Sequence, residues 1–235
     1  MSEKINIIIF FLIYVLFTSC SHYYYTPNSQ TSPLFKEKGE ARISAAHYGS
    51  EESTGFVMNS ALAITDNIGL IGNFMYGDDE DNDSDGKGNF SEIGIGLFIP
   101  ENNNSVFEVY GGFGIGNVKN HYSNDLESKL SFHRYFIQPS VGYRSNIVEF
   151  AFSSRFCLVH YNKFGYDYLL KEFHHITDIR YIIDNKNFLM MEPAATIRLG
   201  AEKFKIQFQL IRSIPYNHKL KQEEVNLNIG FIIQI

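Results

Sequence analysis

The stretch "VNLNIGFIIQI", Val225–Ile235, decides the fold class because its side chains alternate between two kinds of face. One face is entirely apolar and consists of Val225, Leu227, Ile229, Phe231, Ile233 and Ile235. The other face is mainly polar or small and consists of Asn226, Asn228, Gly230, Ile232 and Gln234. Successive side chains of a strand point to opposite faces of a sheet. This period of two therefore predicts a β-strand with one apolar and one polar face.

The same alternation recurs from Gly39 onwards and predicts about ten strands. The clear segments are Phe90–Ile99, Val106–Gly116, His133–Arg144, Val148–His160, Leu189–Leu199, Phe204–Ile211 and Val225–Ile235. The weaker ones are Ala41–Gly49, Phe56–Thr65 and Ile68–Gly77. The composition, with 15% aromatic residues, 18 Gly and only 6 Pro, also favours strands and tight turns. Each segment is near the length that a tilted strand needs to cross a bilayer.

The connections between these segments alternate in length. The short ones are 65–67, 101–105, 145–146 and 200–203, and the long ones are 78–89, 119–131, 162–186 and 213–224. Only the first connection, 50–54, breaks this alternation, because it is short although it lies at the end where the other connections are long. Short periplasmic turns and long extracellular loops are typical of outer-membrane barrels. We therefore predict an all-β fold over residues 39–235, an antiparallel up-and-down transmembrane β-barrel of about ten strands.

The period alone does not say which face points outward, but the charges on the polar faces give an indication. Those faces are rich in glycine and carry single Glu and Arg residues in near balance: Glu92, Glu108, Arg134, Glu149, Arg155, Glu192 and Arg198. A narrow lumen favours small residues and paired charges, because an unpaired buried charge costs several kcal/mol. We expect these residues to form a charge network that fills the lumen. A soluble, lipocalin-like lipoprotein that carries an apolar ligand remains the alternative.

The N-terminal stretch "MSEKINIIIFFLIYVLFTSC", Met1–Cys20, has the features of a secretory signal. Its apolar run, Ile5–Phe17, suits a signal-peptide core and is short for a membrane span. The last four residues resemble a bacterial lipoprotein processing box, in which cleavage leaves a lipidated cysteine. We therefore expect a signal peptide over 1–19, lipidation at Cys20, and a tether over 20–38 on the periplasmic side. An ordinary secretory signal and an uncleaved helical anchor are the alternatives.

Several stretches together resemble the small outer-membrane β-barrel proteins of Gram-negative bacteria. They are the lipoprotein box, "PLFKEKGE" (Pro33–Glu40), "ALAITDNIGLIGNFMYG" (Ala61–Gly77), "EIGIGLF" (Glu92–Phe98) and "VNLNIGFIIQI" (Val225–Ile235). The last resembles the C-terminal signal read by the barrel-assembly machinery, with Ile235 where an aromatic residue is usual. The resemblance implies outer-membrane lipid and that machinery as partners, and it implies no reaction or ligand. The formal charge of −6 and the lack of a Lys/Arg cluster argue against nucleic acid.

The acidic stretch "DNDSDGKGNFSE", Asp81–Glu92, has the spacing of a calcium-binding loop. Asp81, Asp83 and Asp85 would supply carboxylates, Lys87 a backbone carbonyl, and Glu92 a bidentate carboxylate. No amphipathic helices flank the stretch, and Glu92 also fits the lumen face of a strand. A weak calcium site is therefore weighed against a solvated acidic loop, and no other cofactor is expected.

A second group of chemically versatile residues lies in "KEFHHITD", 171–178, within the long connection 162–186. His174, His175 and Asp178 could form an Asp/His rim at the barrel mouth. No nucleophile with a fixed base accompanies them, as covalent catalysis would require. We therefore expect a structural or binding protein that acts through its extracellular loops. A rim enzyme acting on envelope lipids or peptides is the alternative.

Overall fold

The computed structural model describes residues 23–50, 53–80, 85–101, 104–122, 126–166, 175–216 and 220–235. The strands are β1 (Ala41–Gly49), β2 (Thr54–Ala63), β3 (Ile68–Glu80), β4 (Asp85–Pro100), β5 (Ser105–Tyr122), β6 (Leu126–Arg144), β7 (Val148–Tyr166), β8 (Asn187–Gly200), β9 (Phe204–Arg212), β10 (Ile214–Pro215) and β11 (Val225–Gln234). One helix, α1 (His175–Asn185), lies between β7 and β8 in the described chain.

The long strands close into a barrel of ten antiparallel strands. Strands β1 to β8 pair in chain order, β8 also pairs with β9, β9 pairs with β11, and β11 returns to β1. The two-residue strand β10 adds only to β8 at its long-loop end. The predicted all-β antiparallel barrel is confirmed.

The apolar face of every long strand points outward and the polar face points into the lumen. Ile93 and Phe152 are each 64% exposed on the outside, whereas Asn226 and Asn228 are 0% exposed inside. A soluble carrier barrel needs the opposite arrangement, with its apolar residues around the ligand. The exposed apolar belt is what a lipid bilayer covers.

Strands β4 to β7 are longer than a membrane crossing requires. They contain 16, 18, 19 and 19 residues, against about ten for a tilted membrane strand. The prediction of loops over 78–89 and 119–131 is therefore wrong in large part, since Asp78 pairs with Lys87 and His121 with Glu127. Beyond the bilayer the outer face of the β5–β6 hairpin becomes polar, while inner-face residues such as Leu126 and Leu130 pack inside the barrel. The apolar-outside pattern therefore stops while the backbone pairing continues.

Helix α1 lies at the long-loop end and helps to close the barrel mouth. Ile179 and Ile182 are each 1% exposed and belong to the apolar cluster inside that end. The helix ends at Lys186, whose φ of 56° is left-handed and whose N–H donates to the carbonyl of Ile182 at 2.8 Å. Within the described part of the chain, no helix is long and apolar enough to cross a membrane.

Candidate functional site

The lumen contains a segment of the chain itself, Tyr23–Phe35, which we call the plug. Tyr24, Ser32 and Phe35 are each 0% exposed. The prediction that residues 20–38 form an external tether is therefore corrected for the described residues: most of them lie inside the barrel. A stretch of small polar residues suits a narrow polar lumen as well as it suits a tether, so composition alone does not separate the two.

The plug runs from the long-loop end of the barrel to the short-turn end. At the long-loop end, the carbonyl of Tyr23 accepts a hydrogen bond of 3.1 Å from Asn120, near the end of β5. At the other end, Gly39 N–H donates at 2.9 Å to the carbonyl of Ala63, the last residue of β2 before the short β2–β3 turn. The described chain thus begins, at Tyr23, at the long-loop end. Cys20, for which the sequence predicts a position on the short-turn side, lies outside the described residues.

At its start the plug bonds to the backbone before β11: the Tyr24 N–H donates to the carbonyl of Lys221, and the Tyr25 carbonyl accepts from the Glu223 N–H, each at 3.0 Å. From Pro27 to Thr31 its backbone bonds to side chains of the wall. Gln209 forms a reciprocal pair with Gln30: its Oε1 accepts from the Gln30 N–H at 2.9 Å, and its Nε2 donates to the Gln30 carbonyl at 2.8 Å. Asn226 donates to the carbonyl of Pro27 at 2.8 Å, and Gln138 donates to that of Thr31 at 2.8 Å. Buried backbone groups need partners, and here the inward amides supply them.

Two arginines and two glutamates form an upper charge cluster around the middle of the plug. Arg155 lies 3.1 Å from Glu92 and 3.6 Å from Glu192. Arg134 contacts Glu92 directly and lies 3.8 Å from Glu192. All four side chains are buried, and their formal charges cancel. Such a balance is what makes buried charges tolerable in a low-dielectric interior.

The plug is part of this cluster because Asn28 and Tyr25 bond to its members. The Asn28 side-chain oxygen accepts hydrogen bonds of 2.5 Å from both Arg134 and Arg155. The Tyr25 hydroxyl accepts from Arg134 at 2.6 Å and donates to Glu192 at 2.6 Å. Removing the plug would therefore leave two arginines with donors that lack these partners.

A lower charge cluster centres on Glu149, nearer the short-turn end. Arg42 bonds to it at 2.7 and 2.9 Å, Arg198 at 3.0 Å, and Lys205 lies 3.4 Å away. Arg198 also donates to the carbonyl of Ser32 in the plug at 2.9 Å. The lower cluster therefore carries more cations than anions, and plug carbonyls share its excess positive charge.

The plug leaves the lumen through a turn at Leu34. The φ angle of Leu34 is 53°, in the left-handed region that is uncommon for residues other than glycine. Its carbonyl accepts from Arg144 at 2.9 Å, and Arg144 also binds both carboxylate oxygens of Glu40, at 2.7 and 2.9 Å. A Cβ on Gly142 would lie 2.5 Å from the Leu34 side chain, so only glycine leaves room for this turn.

An apolar cap closes the lumen at the long-loop end. Its members line the upper wall, the helix and the start of the plug: Tyr24, Tyr122, Leu126, Leu130, Phe132, Tyr161, Ile179, Ile182, Phe188 and Leu220. The Tyr24 and Tyr122 hydroxyls are 3.2 Å apart, and the Phe90 and Phe132 rings stack at 5.7 Å. Between cap and clusters, the Arg134 guanidinium lies 4.2 Å from the centre of the Phe90 ring.

A cleft of about 610 Å³, part of it open to solvent, lies beside the cap. It is bounded by the first residues of the plug and by the β3–β4 hairpin. Tyr23, Tyr25 and Tyr48 line it together with Asp78 and Asn120. Aromatic walls with a few polar groups are common in small-molecule sites.

Among the predicted calcium ligands, the structure does not bring the described residues Asp85 and Glu92 together. Asp85 and Glu92 lie on one continuous strand, seven residues or about 23 Å apart. The Glu92 carboxylate is buried in the lumen against Arg134, and the Lys87 ammonium lies 3.5 Å from Asp78. The hypothesis is therefore wrong for Glu92. Asp81 and Asp83 lie outside the described residues, and the described residues contain no group of three potential metal ligands.

The predicted lumen residues all face inward, but the structure adds partners that sequence reasoning missed. Glu108 lies outside both clusters, fully buried, and accepts from Ser140 at 3.2 Å. Arg42, Arg144 and Lys205 were missed, although each stands at an inward position of an alternating strand. Asn28, in the plug, was missed because no periodicity marks that segment.

The remaining candidates from the sequence lie at the barrel mouth and in the wall. Asp178, in α1, lies 2.7 Å from Lys221, so it ties the helix to the chain before β11. His174 lies outside the described residues. Cys157 is buried in the barrel.

Comparison with known proteins finds similarity in fold only. No protein-family model matches the chain, and no curated protein matches it. Among solved structures, the translocator domain of the autotransporter NalP from Neisseria meningitidis matches with a TM-score of 0.53 and 8% identity, over 84% of this chain and 88% of that one. The outer-membrane protease OmpT from Escherichia coli gives a TM-score of 0.39 and 11% identity over 84% and 92%. OprG from Pseudomonas aeruginosa gives 0.38 and 11% over 86% and 98%. The fold is that of a Gram-negative outer-membrane β-barrel.

Proposed function

We propose that this chain is an outer-membrane lipoprotein whose barrel is closed by its own N-terminal segment, with a structural or binding function at the cell surface. The observation that carries the proposal is the plug. Its residues Tyr23–Phe35 fill the lumen and bond to wall side chains at both charge clusters. An open aqueous channel needs a wider barrel of about sixteen strands. Transport through the lumen is therefore not its role.

The lipid anchor proposed at Cys20 belongs at the long-loop end. Cys20 stands three positions before Tyr23, and a chain of three residue steps spans at most about 11 Å. If the long loops face outward, as in other barrels of this type, the acyl chains would enter the outer leaflet. This placement replaces the periplasmic anchor expected from the sequence.

The binding role is assigned to the cleft beside the plug. Its lining joins the plug residues Tyr23 and Tyr25 to the β3–β4 hairpin, so a bound ligand would contact both. No catalytic role is proposed.

Conductance across a planar bilayer tests whether the plug closes the barrel. The wild-type protein is expected to give no sustained channel. A variant with Tyr25→Ala and Asn28→Ala, which loosens the plug without deleting it, is expected to open transiently. Asn146→Ala, at an exposed short turn, is the control. Sustained wild-type conductance equal to that of the double variant would refute the proposed closure.

Surface labelling of whole cells tests the direction of the plug. An epitope inserted directly before Tyr23 is expected to bind antibody on intact cells. The same epitope inserted between Ser145 and Asn146, in a short turn, is expected to bind only after permeabilisation. The reverse result would show that the N-terminal side faces the periplasm. Labelling with a radioactive fatty acid, lost on Cys20→Ala, tests the lipid anchor separately.

A further inference from the structure

We propose that the outer wall of β5, β6 and β7 binds a phosphorylated glycolipid of the surrounding leaflet. The site combines a group of lysines, a row of amide and hydroxyl side chains, and the apolar belt below them. We call Lys119, Lys129 and Lys163 the lysine patch. The inference goes beyond the proposed surface function and shares with it only the assumption that the long loops face outward.

Register places the lysine patch on the outside of the barrel. Lys119 and Lys129 stand directly opposite each other on β5 and β6, with side chains 36% and 59% exposed. Lys163 stands opposite Ser131, one outward position below Lys129. Like charges directly opposite on neighbouring strands are unfavourable. Such a group is expected where an anion compensates it.

The described carboxylates nearby only partly neutralise these lysines. Glu127 contacts Lys129 and lies 2.8 Å from Lys119, so one anion serves two cations. On the side of β4, the described carboxylate Asp78 already pairs with Lys87 at 3.5 Å. Among the described side chains, three lysines against Glu127 leave a local formal charge of +2, on a chain whose net charge is −6.

A row of hydrogen-bonding side chains lies next to the patch on the same outer face. Ser131 donates to Asn117 at 2.8 Å, and Asn117 donates to Asn89 at 3.1 Å. One outward position lower, Asn162 lies 3.0 Å from His133. These amides and hydroxyls are linked to one another at the surface and offer their remaining donors and acceptors outward.

Below this row the outer face becomes apolar. Ile115, Tyr135 and Ile137 are 51%, 52% and 53% exposed, and Phe113 packs against the Tyr135 ring at 5.2 Å. Lys119 stands four residues above Ile115, which is about 10 Å along the membrane normal for a strand tilted by about 40°. Lysine side chains can bend towards a headgroup next to them while their stems lie along the apolar surface.

The vertical order of these layers matches one class of ligand. Acyl chains would lie against the apolar belt, sugar hydroxyls would meet the amide row, and phosphates would meet the lysine patch. A soluble anion would need no apolar surface, and an unphosphorylated glycolipid would need no cations. A phosphorylated glycolipid uses all three layers.

Binding of lipid A to the folded protein in detergent tests the proposal. Wild-type protein is compared with the triple variant Lys119→Gln, Lys129→Gln and Lys163→Gln by native mass spectrometry. The matched control changes three lysines near the short-turn rim: Lys36→Gln, Lys38→Gln and Lys203→Gln. Affinity for bis-phosphorylated lipid A is expected to fall about 100-fold in the patch variant and to remain near wild type in the control.

Two further probes distinguish a phosphate carried by a lipid from free phosphate in solution. Dephosphorylated lipid A is expected to bind wild-type protein weakly, and inorganic phosphate is expected not to displace the bound lipid at equal concentration. Equal binding of the two lipids, or an unchanged patch variant, would overturn the proposal. If the triple variant does not fold, Lys163→Gln alone is expected to weaken binding about fivefold, and an unchanged affinity there refutes the site. The lipid-binding measurements do not involve conductance or labelling. A negative result here would therefore refute the lipid site and leave the proposed function untouched.

Discussion

Asn28 and Arg155 are joined inside the barrel by a hydrogen bond of 2.5 Å, in which the guanidinium donates to the side-chain oxygen of the amide. The same oxygen accepts a second bond of 2.5 Å from Arg134. One amide of the plug therefore orients two arginines from neighbouring strands. The same arginines hold Glu92 and Glu192, so the plug and the upper charge cluster form one structural unit.

Substitution of Asn28 by Leu is expected to destabilise the barrel by about 3 kcal/mol. The change removes an acceptor from two buried guanidinium groups, and a hydrogen bond to a charged group contributes about 1.5–3 kcal/mol. Urea unfolding in detergent micelles measures the difference. Asn146→Leu, at an exposed turn, is the control and is expected to change stability by less than about 0.5 kcal/mol. Equal effects of the two substitutions would show that the plug does not hold the cluster.

Substitution of Glu149 by Gln is expected to cost more, about 3–5 kcal/mol, because it removes the charge that Arg42 and Arg198 share. The exposed Glu101→Gln is the matched control, with little expected effect. Adding Arg42→Met to Glu149→Gln is expected to recover part of the loss, since one unpaired cation is removed. A double variant that is less stable than the sum of the single effects would contradict this account. Urea unfolding provides all four values.

A glycine inside the wall provides a test of packing. A Cβ on Gly116 would lie 2.3 Å from the Phe132 ring, whereas a Cβ on Gly165 would have no heavy atom closer than 3.8 Å. Gly116→Ala is therefore expected to cost about 1–3 kcal/mol through overpacking, and Gly165→Ala to be close to neutral. In a double-mutant cycle with Phe132→Leu, the two changes are expected to couple favourably. Strictly additive effects would place the clash elsewhere.

The sequence predicts the barrel well because the alternation between lipid and lumen has a strict period of two. Val225–Ile235 shows this period in full, and the structure places its apolar face outward. The plug has no such pattern: its polar groups bond to individual side chains such as Gln209, and a chain in this setting has no required period. The tall hairpins were missed for a related reason. Above the bilayer the outer face becomes polar and the inner face carries apolar residues such as Leu126 and Leu130. Pairing such as that of His121 with Glu127 therefore does not continue the apolar-outside pattern of the membrane strands.

The outward apolar face predicts a strong dependence on position along a single strand. Ile95 lies on the outer face of β4 and is 56% exposed, within the apolar belt. Ile95→Arg is expected to cost about 2–4 kcal/mol of folding free energy in vesicles, because the charge would enter hydrocarbon. Asn89 lies on the same face of the same strand, six residues or about 20 Å towards the long-loop end. Asn89→Arg is therefore expected to cost at most about 1 kcal/mol.

Urea titration in phosphocholine vesicles, with heat-modifiable gel mobility as the measure of folded protein, gives both values for β4. Wild-type protein sets the reference. In detergent micelles, which deform around a charge more readily than a bilayer, the gap between the two variants is expected to narrow. If Ile95→Arg and Asn89→Arg cost the same in vesicles, the face that carries them is not in contact with lipid, and the transmembrane placement of the barrel would have to be abandoned.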